Sequence, residues 1–353
     1  LGNGSDLRRS DFILYMKQCK LCSKLNSEEL QMKRIGVYTS GGDAPGMNAA
    51  VRAVVRMAIA KKLEVYAIYQ GYNGMIEGKM SPMQPRDVAN IIQRGGTVLK
   101  TGRSSDFMKP EFRKKAADNL RALGIEGLVC IGGDGSFRGA HALWEEQKIP
   151  VVGVPGTIDN DIFGSDNTIG FDTAVNTALD AIDKIRDTAA SHDRLFIVEV
   201  MGRNSGHIAS YVGLAGGAED IFTPDANTTV DKAVDRIRDS IQRGKTSSII
   251  IAAEGQKPGR AYDLAEAIRK KSGLDAKVCI LGHLQRGGSP TASDRVLASR
   301  MGAAAVEALI KGQSDIMIGT DGPHLVTVPL EQVVKSEKKT SMDLINLATA
   351  LSL

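Results

Sequence analysis

Residues 127–136 read GLVCIGGDGS. An unbroken apolar run ends in Gly132 and Gly133, an aspartate follows, and helical spacing takes over across 136–146. The run is short and rich in β-formers, so it reads as a strand buried on both faces. The same alternation continues in both directions. Upstream, RIGVYT at 34–39 is a strand, and 47–62 carries Ala50, Val54 and Ala58 on one helical face. Residues 64–69 form a second strand, and Pro110 opens a helix that ends near Gly124. Downstream, 151–154 is a strand, and 174–185 sets Val175, Ala178, Leu179, Ile182 and Ile185 on one helical face. Residues 195–200, 248–253 and 278–281 are further β-rich runs, each separated by a helix. Near-continuous apolar strands alternating with helices specify an α/β fold of mostly parallel sheets covered by helices on both faces. Such sheets bind ligands beyond the carboxyl ends of their strands. The polar loops of interest all lie there.

The chain has 353 residues, which suits two lobes with a sizeable core. Its 38 glycines cluster at the ends of apolar runs and so mark turns rather than low complexity. A formal charge of +4 with no long basic block argues against a nucleic-acid footprint and leaves room for local arginine pockets. No apolar run approaches the ~18 residues of a membrane span. Cys130 and Cys279 sit in apolar runs and read as small buried hydrophobes. Cys19 and Cys22 form a Cys-x-x-Cys, but no second pair or nearby histidine completes a zinc site. The absence of a disulfide framework fits a reducing, cytoplasmic compartment. Residues 1–31 are mixed in charge and lack periodicity. They are expected to form a flexible extension, with the folded body beginning at Met32. The apolar patch at 12–16 is too short for the core of a signal peptide.

Three loops follow strands at the ligand edge. The first, TSGGDAPGMN at 39–48, has three glycines that let backbone N–H groups approach an anion at the start of a helix. Ser40 and Asn48 add donors, whereas a plain strand-to-helix turn needs fewer glycines. The second, Gly132 to Ser136, lacks the Gly-Lys-Ser/Thr ending of a Walker loop and the spacing of a dinucleotide fingerprint. Its exposed backbone suits nucleotide phosphates. Asp134 suits Mg²⁺, which takes one or two carboxylates plus phosphate oxygens. A simple helix cap by Asp134 or Ser136 explains the residues equally well. The third, PGTIDND at 155–161, holds Asp159 and Asp161. In an extended segment, carboxylates two residues apart point the same way. One would take a proton from an attacking hydroxyl and the other would face a metal or neighbouring charge. An Asx-rich turn is the plainer reading of this stretch. Arg203 follows the strand at 195–200, Glu254 ends the strand at 248–253, and HLQRGG at 283–288 follows the strand at 278–281. Singly, each is an ordinary surface group. Together, a metal carboxylate, a candidate base, several arginines and a histidine on one edge suit phosphoryl transfer, in which positioning and charge neutralisation do most of the catalysis.

Assembled in order, these residues closely resemble the bacterial-type ATP-dependent 6-phosphofructokinases. TSGGDAPGMNAAVR, GGDGS, PGTIDND, VEVMGR and LGHLQRGGSP occur in sequence, with family-like spacing, between about Met32 and about Met301. The resemblance implies transfer of the ATP γ-phosphoryl to O1 of fructose 6-phosphate with Mg²⁺, giving fructose 1,6-bisphosphate and ADP at the committed step of glycolysis. It implies ATP contacts at Gly42, Tyr72, Arg103, Gly133, Gly135, Ser136 and Gly139, with Asp134 serving Mg²⁺. Asp159 would be the base for the 1-hydroxyl, with Thr157 and Asp161 beside it, and Arg203 would steady the transferring phosphoryl. Met201, Gly202, Glu254, His283 and Arg286 would hold the sugar. Arg194 resembles the residue that reaches across a subunit boundary to the 6-phosphate, so a homotetramer is expected. An effector pocket for ADP or phosphoenolpyruvate is implied at Arg52, Arg56, Arg186, Glu219 and Lys245. Arg52 and Arg56 are four apart on one helix face and can reach one anion. Two Rossmann-like lobes follow: a larger ATP-binding lobe at 32–170 plus 285–335, and a smaller sugar-phosphate lobe at 171–284 plus 336–353.

Pyrophosphate-dependent relatives carry an aspartate where this chain has Gly135 and a lysine where it has Gly156. An aspartate there would crowd and repel the α-phosphate of a nucleotide, so the glycines favour ATP. The alternatives are a pyrophosphate-dependent enzyme, a kinase for another phosphorylated sugar, or a non-catalytic sensor. A sensor should have lost its base or its metal carboxylate, yet Asp134, Asp159, Asp161 and Arg203 are all present. Lys277 stands where the second cross-subunit arginine is usual. Lysine keeps the charge and loses the bidentate fork, so a weaker grip on the sugar phosphate is expected. Pro85 occupies a usual effector-site arginine position, with Arg86 adjacent. Ser104 replaces an aromatic near the adenine site and Met108 a nearby arginine, so looser nucleotide selectivity is expected.

Overall fold

The strands fall into two sheets. A computed structural model describes residues 32–352 apart from 191–194, 227, 246, 256 and 257. The extension at 1–31, with its Cys-x-x-Cys, and Arg194 lie outside the described residues. The first half of the described chain runs β1 (Arg34–Ser40), α1 (Met47–Ala60), β2 (Glu64–Ile68), α2 (Tyr72–Glu77), β3 (Met80–Met83), α3 (Pro110–Ala122), β4 (Gly127–Gly132), α4 (Asp134–Gln147) and β5 (Val151–Pro155). The second half runs α5 (Phe171–Ala190), β6 (Leu195–Val200), α6 (His207–Ala215), β7 (Asp220–Phe222), α7 (Val230–Gln242), β8 (Ser248–Ala253), α8 (Arg260–Ser272) and β9 (Ala276–Ile280). It closes with α9 (Ala292–Ile310), β10 (Ile316–Asp321), β11 (His324–Pro329), α10 (Leu330–Lys335) and α11 (Met342–Leu351).

The larger sheet has seven strands in the order β11-β10-β5-β4-β1-β2-β3, and the smaller has four in the order β7-β8-β6-β9. In the larger sheet only the edge strands β3 and β11 pair antiparallel. The smaller sheet is parallel throughout. Every residue of β4 and β5 is buried, as expected of strands covered on both faces. Register sets Ser40 opposite Gly132 and Gly132 opposite Pro155. The loops that leave β1, β4 and β5 therefore start side by side. Strand order also reverses at β1, which has β2 on one flank and β4 on the other. That reversal opens a crevice at the carboxyl ends of β1 and β4.

Several element limits differ from the sequence reading. The helix expected at 136–146 begins at Asp134, behind an N-cap Gly133 that makes no side-chain cap bond. Neither Asp134 nor Ser136 caps it, which removes the simple cap explanation. The helix expected to reach 62 stops at Ala60, because Lys62 turns to φ 66°. Strand β9 starts earlier than 278, since pairing of Ala276 with Leu195 sets its limit. Strand β3 escaped the sequence reading because MSPM has no apolar alternation, and its Pro82 is tolerated only at a sheet edge.

Buried carboxylates fasten the starts of helices to neighbouring elements. Asp294, in the first turn of α9, accepts from Gly170 N at 2.8 Å and Thr173 N at 2.9 Å, which fixes the start of α5. Glu199 on β6 accepts from Gly259 N and Ala261 N, both at 2.8 Å, and so caps α8. Among the described residues no helix is long and apolar enough to cross a membrane.

Candidate active site

The loops after β1, β4 and β5 surround a cleft of about 650 Å³. Gly133, Asp134, Gly135 and Ser136 line it from the first turn of α4, so the positive end of that helix faces the cavity. Gly132 has to lack a side chain. A Cβ there would lie 2.6 Å from the Ser40 carbonyl and 2.5 Å from Ser136 Oγ. Gly42 lines the facing wall, where Arg286 Nη1 donates to the Asp43 carbonyl at 3.2 Å.

Tyr72 closes one side. Its ring stacks on Phe107 with centroids 3.8 Å apart, and its hydroxyl donates to the Ser136 carbonyl. Burial holds the Tyr72 phenol well above its ordinary pKa, so it stays neutral. Gly139, one turn into α4, allows this packing, since a Cβ there would sit 2.9 Å from the Tyr72 ring. Arg103, Ser104 and Met108 line the same side, and Met108 is 79% exposed. Ser104 Oγ accepts the Phe107 N–H at 3.2 Å and so holds the ring that stacks on Tyr72.

The carboxylates gather at the other end. Asp159 is buried, and its Oδ1 has no hydrogen-bond partner. Burial raises its pKa, opposed by the Arg286 and Arg203 guanidiniums. Asp161 is exposed where it opens to the cleft. Desolvation by the protein around its carboxyl, then the Asp159 charge and more weakly Asp134, push it up to about 6, with Lys338 opposing. The segment is not extended as expected. Asn160 turns to φ 50°, so the two-residue period does not align the aspartates. They reach one cavity because the loop folds over, pinned by Asp159 N donating to Thr157 Oγ1 at 3.2 Å and Asn160 Nδ2 to the Asp166 carbonyl at 3.0 Å. Asp134 pairs with Arg138 Nε at 2.8 Å. Arg138 also lines the cleft and was not singled out in the sequence, although its four-residue spacing from Asp134 on a helix was a usable signal.

Arg203 enters the cleft from the smaller sheet at φ 49°, a conformation that costs a non-glycine residue about 1 kcal/mol or more. Its N–H donates to Glu254 Oε1 at 3.3 Å, and Ser205 N–H to the Gly202 carbonyl at 2.8 Å. Glu254 is buried and does not line this cleft; it lines a second hollow of about 660 Å³ with Gly255, Arg260 and Asp263. Met201 does not line the cleft. Its N–H donates to Gln285 Oε1 at 2.8 Å, and Gln285, fully buried, was missed because its role depends on a contact 84 residues away. His283 is exposed on the turn Gly282–Arg286. Lys277 is exposed on β9 and paired with Asp275 at 2.6 Å.

Of the five residues assigned to an effector pocket, three come together. Lys245 Nζ lies 2.6 Å from Glu219 Oε1, and Arg186 donates to the carbonyls of Gly216 and Gly217. Arg52 and Arg56 stand elsewhere, on α1, which packs against α9 and the larger sheet.

Residues 34–309 match the model of the phosphofructokinase family. The chain is 59% identical over 322 residues to ATP-dependent 6-phosphofructokinase 1 of Thermus thermophilus, covering 91% of this chain and 100% of that relative. Its fold is similar to that of phosphofructokinase from Saccharomyces cerevisiae, with a TM-score of 0.80 and 40% identity, over 86% of this chain and 45% of that one. It is also similar to a pyrophosphate-dependent phosphofructokinase from Marinobacter aquaeolei, with a TM-score of 0.78 and 25% identity, over 88% of this chain and 86% of that one.

Proposed function

Because the chain belongs to the phosphofructokinase family, we infer that it is an ATP-dependent 6-phosphofructokinase, a glycolytic kinase that transfers the γ-phosphoryl of ATP to O1 of fructose 6-phosphate. The observation that carries this reading is the unpartnered Asp159 Oδ1, buried in the same cleft as the helix N-terminus of α4. A buried acceptor without a donor is costly unless a ligand supplies one. The sugar 1-hydroxyl supplies it.

Asp159 takes the proton as O1 attacks the γ-phosphorus. The new O1–P bond forms while the bridge to the β-phosphate breaks, and ADP leaves. Arg203 spreads the charge on the transferring oxygens, and Thr157 and Asp161 hold the loop and its field. Gly42, Gly133, Gly135 and Ser136 cradle the nucleotide phosphates, with Tyr72, Arg103 and Gly139 toward the nucleoside. Asp134 lines the cleft at the first turn of α4, and one carboxylate beside phosphate oxygens is the donor chemistry that Mg²⁺ takes. Asp134 is the residue that would hold it, and the ion, when bound, neutralises phosphate charge. Met201, Gly202, Glu254, His283 and Arg286 take the sugar, with Arg194 and Lys277 reaching it from a neighbouring subunit of a cytoplasmic homotetramer. Arg52, Arg56, Arg186, Glu219 and Lys245 form an effector site for ADP or phosphoenolpyruvate that is completed between subunits. The larger lobe, 32–170 plus 285–335, takes ATP, and the smaller, 171–284 plus 336–353, takes the sugar phosphate.

A coupled assay of fructose 6-phosphate with ATP or pyrophosphate tests the reading. Turnover with ATP and none with pyrophosphate is expected, and the reverse would overturn the choice of donor. The pH profile gives a second check. Desolvation and neighbouring carboxylates raise Asp161 to about 6, and burial raises Asp159 as well. Both must be ionised to act, and protonation removes that as pH falls. The acid limb of kcat/KM is therefore expected near pH 6 and not at the pH 4 or so of an ordinary carboxylate.

A further inference from the structure

Between α10 and α11 the chain passes behind both catalytic loops and is fastened to each. Lys338 Nζ donates to the Asp166 carbonyl at 2.9 Å, the same oxygen that accepts from Asn160 Nδ2 at 3.0 Å. Two residues on, the buried Thr340 accepts from Gly206 N at 2.9 Å through its Oγ1. The first tether reaches the loop that carries Asp159 and Asp161 on either side of Asn160. The second reaches the loop that follows Arg203. Those two loops also meet directly, since the buried Ser205 Oγ donates to the Asp159 carbonyl at 2.9 Å and accepts from His207 N at 3.2 Å.

We propose that Lys338 is a positioning residue for phosphoryl transfer: from the C-terminal segment it holds the loop at 157–166 against the loop at 202–207, and so sets Asp159 against Arg203. Lys338 is not among the residues that line the cleft, so it acts through the loop rather than on the substrates. Its charge matters as well as its hydrogen bond. Asp134, Asp159 and Asp161 are like charges sharing one cavity and repel one another. The Lys338 ammonium opposes that repulsion at Asp161. Burial brings its pKa down to about 8, while Asp166 and Asp161 favour the charged form. His207 beside it, held down to about 4 by burial and then by the Lys338 charge, stays neutral and does not compete.

The inference rests on the phosphofructokinase reading, so the wild-type enzyme is assayed in parallel with ATP and fructose 6-phosphate. Lys338→Met is expected to lower kcat roughly ten- to hundredfold, the loss of one charge-assisted hydrogen bond. The KM for ATP, whose contacts lie on α4, is expected to stay within about twofold, the pattern of an interaction made only in the transition state. Lys338→Arg keeps the charge and a donor and should recover most of kcat. Thr340→Val cuts the second tether without changing charge and should lower kcat in the same direction. If Lys338→Met does not fold, Lys338→Gln and Thr340→Val decide by the same readouts. Wild-type kcat in the folded Lys338 variants would overturn the inference, and so would a loss that Lys338→Arg does not restore. An inactive wild-type enzyme would instead overturn the reaction itself, and this role with it.

Discussion

Replacing Asp159 by asparagine is expected to lower kcat by roughly 10²- to 10⁴-fold, the range for loss of a general base. The substitution keeps the shape of the side chain and removes only the carboxylate that we propose as proton acceptor. Asp159 is well suited to that job. Its Oδ1 is buried and unpartnered, and burial raises its pKa, which makes its ionised form a stronger base. Its backbone is held from two sides, by Thr157 Oγ1 at the N–H and by Ser205 Oγ at the carbonyl. Fructose 6-phosphate should therefore bind the asparagine variant nearly as well as the wild type, which calorimetry can measure beside steady-state kinetics. Unchanged turnover in a folded Asp159→Asn enzyme would assign the proton to another group.

The second large effect is expected at Gly135. The similarity to both ATP-dependent and pyrophosphate-dependent enzymes means that the fold alone does not choose the phosphoryl donor. The choice lies in what the first turn of α4 leaves open. A Cβ at Gly135 meets nothing within 4 Å, and the position lines the cleft. Gly135→Asp should therefore fold normally and place a carboxylate in the part of the cleft proposed for the nucleotide phosphates. Juxtaposed like charges cost several kcal/mol, so kcat/KM for ATP should fall by about 10²-fold or more, with unchanged thermal stability. The same change at Gly156 would be less clean. A Cβ there would lie 3.1 Å from Ile131 Cγ2 and 3.2 Å from Met47 Cε, so packing and donor effects would mix. An enzyme that accepts aspartate at 135 with ATP kinetics intact would remove the steric basis for the donor preference.

The features of the site differ in how far the sequence alone carries them. The pairing of Asp134 with Arg138 is local, and its spacing on α4 made it legible in principle. Gln285 is different: nothing in HLQRGG singles it out, yet it is the fully buried residue of that turn and ties the end of β6 to α5 through Met201 N and the Ala174 carbonyl. The expectation that Asp159 and Asp161 align through strand period was wrong in its reason. Asn160 adopts φ 50°, and tethers to Asp166 and Thr157, not pleating, bring the two carboxylates to one cavity.

The succession of strands, glycine loops and helices was determined by the sequence itself. Apolar runs of strand length and the need for bare backbone at the Gly132 turn are local demands, set by nearest neighbours and by burial on both faces. That succession also placed the loops after β1, β4 and β5 on one edge. What only the tertiary structure decided was the state of the groups on that edge. Which carboxylate lacks a partner, which guanidinium faces it, and that Lys338 braces the loop from 172 residues away all depend on how the chain returns through space. Burial and charge at a site are summed over every element that packs there, and no pattern confined to one stretch of sequence carries that sum.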